Sequence, residues 1–191
     1  MDMAEALQTY LQRREVAFEI FSYGPGGRPA DVARALGFAL DQIARPIFLH
    51  DRRGLIMAVI PSNRRLNLTA LRQFTGRPQL TPAPTDTVAQ ALVNCEPTAA
   101  PPFSELYDLE TVVEEAFADM DGIYFVACRT GILARVQSDA FQRLHAASEW
   151  AAITTPAPPL RVPTRHPRAL LPRQLAGRFH MPRPTPHRHD S

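Results

Sequence analysis

Two short apolar runs lie close together in the first third of the chain: Ile47-Phe48-Leu49, and Leu55 through Ile60 without a polar break. Between them sits the polar turn sequence Asp51-Arg52-Arg53-Gly54. Apolar runs of this length, bounded by turn residues, suit strands covered on both faces. Pro46–His50 and Leu55–Ile60 are therefore expected as a hairpin in the middle of a sheet. Gly54 supplies the positive φ that a short hairpin loop requires. The polar stretch Pro61–Leu66 then feeds a helix over Leu68–Phe74, which Asn67 caps and Gly76 stops.

The same reading extends to the rest of the chain. Met3–Arg14 places Ala4, Leu7, Tyr10 and Leu11 on one helical face, and Ala17–Tyr23 alternates as a strand with one solvated side. Gly24–Gly27 breaks that strand. Pro29 then opens a two-turn helix that ends at Gly37, and Ala39–Ala44 turns into the hairpin. A weak strand over Pro78–Thr81 is followed by a helix over Thr85–Val93, capped by Thr85. Pro97, Pro101 and Pro102 exclude regular pairing across Asn94–Phe103. Leu109–Val113, Ile123–Cys128 and Ile132–Val136 read as strands, the last two joined by the turn Arg129-Thr130-Gly131. Ser138 caps a final helix over Asp139–Ala147.

From Thr154 onward the pattern stops. Nine of the 19 prolines, seven of the 21 arginines and four of the six histidines fall there, against a single acid, Asp190. Such a stretch buries too little apolar surface to offset its ordering entropy. The organisation expected is one α+β domain over residues 1–153 and a disordered Pro/Arg/His-rich tail over 154–191, able to contact RNA without sequence preference. Every basic residue is Arg; the chain has no Lys and hence no side-chain amine for Schiff-base or point-charge chemistry. Cys95 and Cys128 read as two buried free thiols in a reducing compartment, in preference to zinc ligands or a disulfide. No apolar run reaches membrane-spanning length and no secretory signal is seen, which points to the cytoplasm. His50 and His145, without suitably spaced partners, read as strand-end and helix-face residues. No metal and no cofactor is implied. The apolar positions suit a monomer and allow a homodimer.

Several strings, taken in order, resemble the YbaK/ProX family of aminoacyl-tRNA deacylases, which is related to the editing domain inserted in bacterial prolyl-tRNA synthetases. They are Ala33-Arg34-Ala35-Leu36-Gly37, Gln42-Ile43-Ala44-Arg45, Met57-Ala58-Val59-Ile60-Pro61 and Arg65-Leu66-Asn67-Leu68. Cys95-Glu96-Pro97 through Pro101-Pro102 and Ile123-Tyr124-Phe125 continue the series. The resemblance covers residues 15 to about 150. It implies a mixed, barrel-like sheet flanked by helices, with a pocket that receives the aminoacylated 3′ end of a tRNA. That pocket lies between the start of the central hairpin and the proline-bearing loop.

The site implied by the resemblance is a hydrolytic one without a protein nucleophile. An aminoacyl ester is already activated, so its hydrolysis needs orientation, donors for the carbonyl oxygen and a placed water. Arg45 stands where the family has lysine, and Thr98 where it has glycine. Arg45, Thr98, Ala99 and Ala100 are the expected catalytic positions, with Pro101, Glu114 and Gly131 as substrate contacts. An ion pair of Arg45 with Asp41 or Glu114 is the plain alternative. The pairs Arg52/Arg53 and Arg64/Arg65 are candidate tRNA phosphate contacts. Two functions follow. One is a deacylase acting in trans on mischarged tRNA; the other is a degenerate module that binds aminoacyl-tRNA or an amino-acid-like ligand without turnover.

Overall fold

The computed structural model describes residues 5–23, 28–92 and 95–157. The central hairpin is the one the apolar pattern predicts, extended by a residue or two at each end. Strand β2 (Ala44–Asp51) pairs antiparallel with β3 (Gly54–Pro61). Gly54 closes the turn at φ 108°. Ile56, Met57, Ala58, Val59 and Ile60 are all fully buried. Strand alternation sends Ile56, Ala58 and Ile60 into one apolar layer with Leu49, Leu71, Leu80, Val112 and Ile153. Met57 and Val59 enter the opposite layer with Phe103, Val113, Phe125 and Phe141. Each large aliphatic side chain so buried contributes about 1.5–3 kcal/mol. The hairpin is therefore the element both layers condense upon.

Around it the remaining elements follow in order. Helix α1 (Glu5–Arg13) buries Leu7 and Leu11, and β1 (Phe18–Ser22) follows it. Helix α2 (Pro29–Leu36) starts at Pro29 and ends against Gly37. After β4 (Arg64–Leu66), helix α3 (Leu68–Thr75) is capped by Asn67, whose Oδ1 accepts the Ala70 amide at 3.1 Å. Then come β5 (Thr81–Pro82), α4 (Thr85–Ala91), β6 (Glu110–Glu114), β7 (Gly122–Val126), β8 (Ile132–Gln137), α5 (Ser138–Leu144), β9 (Glu149–Ala151) and β10 (Thr154–Pro156).

One five-stranded sheet has the order β5-β2-β3-β6-β9, with β6 parallel to both β3 and β9. An antiparallel sheet of order β1-β8-β7 faces it, and an isolated bridge between Ile43 and Tyr124 stitches the entry of β2 to β7. This is the mixed, barrel-like α+β architecture expected. Among the described residues no helix is long and apolar enough to cross a membrane.

Several local expectations are corrected. The strand expected at Pro78–Thr81 reduces to Thr81–Pro82, because Arg77 to Leu80 forms a turn closed by the Leu80 amide on the Arg77 carbonyl. Helix α4 is flanked by Pro84, and α5 by Gln137; neither Thr85 nor Ser138 caps through its side chain. Strands β4, β9 and β10 span only three residues each, too few to show a period. Pairing of β10 with β4 carries the folded unit through Pro156, past the expected edge at residue 153. The rest of the expected tail lies outside the described residues. Cys95 and Cys128, expected as free thiols, form a disulfide with Cα atoms 4.4 Å apart. Their separation of 33 residues gave no hint of it; only the packing of one loop against the end of β7 brings them together.

A buried arginine absent from the expectations secures the hairpin. Arg77 is 2% exposed and donates through Nε to Asp51 Oδ2 at 3.1 Å, through Nη1 to Glu110 at 2.8 Å and through Nη2 to the Gly54 carbonyl at 2.7 Å. Its Nη2 also reaches Asp51 Oδ1. It thus ties the β2–β3 turn to the start of β6.

His145 ends α5 as a fully buried residue among the rings of Phe103, Phe141 and Trp150. Its Nδ1 lies 3.1 Å from Ser148 Oγ, and Nε2 has no partner among the described residues. Burial lowers its pKa to about 3. In the unfolded chain the ring titrates near 6.5. Between those values the unfolded state binds the extra proton, so stability falls as pH drops from about 6.5 toward 3. We expect this slope, up to about 1.4 kcal/mol per pH unit, to be lost in His145→Leu. Urea titrations at pH 7 and pH 4.5 measure it, and equal pH dependence in the two proteins would refute it.

Candidate active site

The entry of β2 and the loop before β6 meet at one cavity. Ala44 lies opposite Pro61 and Arg45 opposite Ile60, so this end of the hairpin also carries the connection to β4. The cavity measures about 320 Å³ and is lined from β2 by Ala44, Arg45, Pro46 and Phe48. From the loop come Pro97, Thr98 and Ala100, and the wall is completed by Pro29, Ile43, Ser62 and Val126. Its volume is at the lower end of the range typical of small-ligand sites, about 300–1,000 Å³. Most of the lining is apolar; among the described residues Arg45 brings its one charged group.

Arg45 donates from Nη2 to the Arg64 carbonyl at 3.3 Å. Among the described residues no carboxylate pairs with it. Glu114, the alternative partner, is buried and spent elsewhere: Oε2 accepts the Ile153 amide at 2.8 Å and Oε1 lies 3.6 Å from Arg64. Desolvation lowers the Arg45 pKa from its ordinary value. A guanidinium without a counter-charge at the edge of an apolar cavity favours an anionic or strongly polarised oxygen there.

The loop presents its backbone in a defined way. Pro97–Ala99 forms a single 3₁₀ turn. The Ala99 amide is taken by the Glu96 carbonyl at 2.8 Å, and the Ala99 carbonyl accepts the Cys128 amide at 2.9 Å. Among the described residues nothing accepts the amides of Thr98 and Ala100, and Pro101 has none to offer. Two residues that line the cavity thus carry N–H groups without an acceptor among the described residues. Thr98 does not adopt positive φ, so its Cβ is tolerated where the family has glycine; the left-handed residue nearby is Cys128, at φ 63°.

The loop is fastened to the β7–β8 turn. Besides the Cys95–Cys128 disulfide, the Glu96 amide donates to the Cys128 carbonyl at 3.0 Å. The Glu96 carboxylate accepts the Thr130 amide at 2.9 Å and its hydroxyl at 2.6 Å, bonds that hold the Glu96 pKa below the usual carboxylate range. Gly131, at φ 95°, lets this turn approach Tyr23, where a Cβ would come within 3.2 Å of the Tyr23 carbonyl.

Of the expected positions, Arg45, Thr98 and Ala100 share the cavity. Ala99, Pro101, Glu114 and Gly131 do not line it. Ala99 is buried behind the wall, and Gly131 sits in the turn that supports the loop. The two arginine pairs flank opposite ends of the hairpin. Arg64 and Arg65 are beside the cavity, whereas Arg52 and Arg53 lie seven residues along β2 from Arg45, roughly 23 Å at the usual rise. Arg64 turns its guanidinium toward Glu114 and Thr154. The apolar wall of Pro29, Ile43, Phe48 and Val126 was not foreseen as part of the site. Phe48 was legible only as a strand residue. A second cavity, about 550 Å³, lies between α1 and Glu105, remote from these groups.

A family model described as the aminoacyl-tRNA editing domain matches residues 25–144. Among solved structures, a candidate trans-editing enzyme for prolyl tRNA synthetase superposes with TM-score 0.71 at 18% identity, covering 81% of this chain and 98% of that one. A hypothetical protein gives TM-score 0.69 at 18% identity over 79% of this chain and 100% of that one. A candidate signal transduction protein from Marinobacter aquaeolei VT8 gives 0.65 at 17% identity, over 81% of this chain and 31% of that longer one. No curated protein sequence matches the chain.

Proposed function

Because this chain belongs to the aminoacyl-tRNA editing domain family, we propose that it hydrolyses, in trans, the ester joining a mischarged amino acid to the 3′ end of a tRNA. The observation that carries this reading is the shared cavity, with Arg45 on one wall and the Thr98 and Ala100 backbone on another. The two free amides bind the ester carbonyl oxygen as it becomes anionic in the tetrahedral intermediate. Arg45 holds an anionic group of the 3′ nucleotide, orienting the ester against the loop. Among the described residues the lining offers no carboxylate or imidazole as a base, so the attacking water is assisted from the substrate, by the ribose 2′-hydroxyl or by a group on the amino acid. The apolar wall accepts the amino-acid side chain. Arg64 and Arg65 flank the path of the acceptor strand, and Arg52 and Arg53 would meet tRNA only farther from its 3′ end.

The test is deacylation of a panel of mischarged tRNAs by the wild type, Arg45→Ala and Arg45→Lys. We expect turnover on at least one member, a loss of about a hundredfold in Arg45→Ala, and a smaller loss in Arg45→Lys, which keeps the charge but not the fork. Full activity in Arg45→Ala rejects this site. Retained tRNA binding with no turnover anywhere in the panel replaces the enzyme by a binding module.

A further inference from the structure

We propose that the Cys95–Cys128 disulfide is a positioning bond for the donor loop, and that its reduction slows hydrolysis by releasing Thr98 and Ala100 from the cavity wall. The inference rests on the editing reading for its effect on rate, but not for its effect on the loop.

Three attachments of this loop converge on one residue. Cys128 holds the Cys95 side chain covalently, receives the Glu96 amide on its carbonyl and gives its own amide to the Ala99 carbonyl. It does so at φ 63°, a conformation that residues other than glycine and asparagine seldom adopt. The surrounding contacts must therefore hold it there. Glu96, Pro97 and Thr98 are exposed, and apolar burial of the loop begins only at Ala99 and Ala100. Once the covalent link is gone, what remains is the Glu96–Thr130 pair, which is at the surface and open to competition from water, and two backbone hydrogen bonds through Cys128, one of them to the buried Ala99. The Thr98 amide lies within this segment and the Ala100 amide two residues beyond it, and an oxyanion site displaced by about 1 Å loses up to about a hundredfold in rate.

The bond is also accessible to exchange from one side. Cys95 is half-buried, whereas Cys128 is 1% exposed. A thiolate of a small dithiol attacks Cys95 Sγ, and the Cys128 sulfur leaves as thiolate and takes up a proton. The second thiol of the reagent then attacks the mixed disulfide and frees Cys95. Two electrons pass to the protein, and the reagent ends as its own disulfide. Tyr107, whose hydroxyl lies 3.7 Å from Cys95 Sγ, is placed to donate to the sulfur as it departs.

The experiment uses the full chain purified under oxidising conditions, before and after dithiothreitol, with free thiols counted by alkylation and mass spectrometry. Deacylation of a mischarged tRNA gives kcat and KM; hydrogen exchange reports the 95–103 peptide. We expect reduction to lower kcat at least tenfold with KM changed less than about threefold. Exchange should quicken in that peptide while the β2–β3 peptides stay protected. Cys95→Ser/Cys128→Ser should match the reduced protein and ignore the reductant, with unchanged far-ultraviolet circular dichroism. Two free thiols in the oxidised preparation, or equal kcat in the two states, overturns the proposal. If no ester is cleaved in either state, the editing reading has failed on its own, and unaltered exchange at 95–103 then overturns the positioning claim as well.

Discussion

Arg77→Met lowers the free energy of unfolding by about 3–5 kcal/mol, the usual cost of removing one partner from a buried ion pair. In urea this is a midpoint shift of roughly 2 M. The size follows from what is stranded. Asp51, whose side chain is 7% exposed, loses its cation, and the Gly54 carbonyl loses its donor at the tightest point of the hairpin. The Arg77 guanidinium beside Asp51 holds that carboxyl below its ordinary pKa. A depressed carboxylate contributes stability that is present above the unfolded pKa, about 3.9, and lost as pH falls through the folded value. The gap between wild type and Arg77→Met should therefore be widest near neutrality and narrow in acid. Converting both members to neutral side chains, Asp51→Asn with Arg77→Met, should recover part of the loss, since no unpaired charge is left buried. A single variant within 1 kcal/mol of wild type at neutral pH would show that the cluster is replaceable by water.

Phe103→Ala is expected to cost a similar amount, about 3–5 kcal/mol, by leaving a cavity the core cannot close. Phe103 is fully buried and meets Phe125 edge-on with ring centres 4.8 Å apart, and Tyr10, His145 and Phe141 at 5.7, 5.6 and 6.2 Å. Three elements, α1, β7 and α5, share that ring, so its loss cannot be absorbed by moving one of them. It also anchors the downstream end of the donor loop immediately after Pro101 and Pro102. Phe103→Leu, which retains most of the volume, should cost less than half as much. Equal losses in the two variants, measured by urea unfolding, would show that ring packing is not the source.

How far the sequence reached can be judged element by element. The hairpin was readable because its apolar runs are local and continuous, and helix α3 because Asn67 and Gly76 mark its ends within ten residues. Arg45 could be placed at the strand entry for the same reason. Arg77 could not, since its partners Asp51 and Glu110 are distant in sequence and a lone arginine after a glycine looks like any surface residue. The fastening of the donor loop was equally hidden: the Glu96–Thr130 bonds join residues 34 positions apart.

By itself, then, the order of apolar and polar residues determined the central strands and, with Asn67, Gly37 and Gly76, the ends of α2 and α3, while the resemblance rested on short residue strings; all of these depend on neighbours along the chain. Tertiary structure alone decided that Ala99 spends its amide while those of Thr98 and Ala100 find no acceptor among the described residues. It also decided that Glu114 serves Ile153 instead of the cavity, and that Cys95 meets Cys128. Those outcomes depend on which distant atoms come within hydrogen-bonding or bonding reach, and a linear pattern carries no distances.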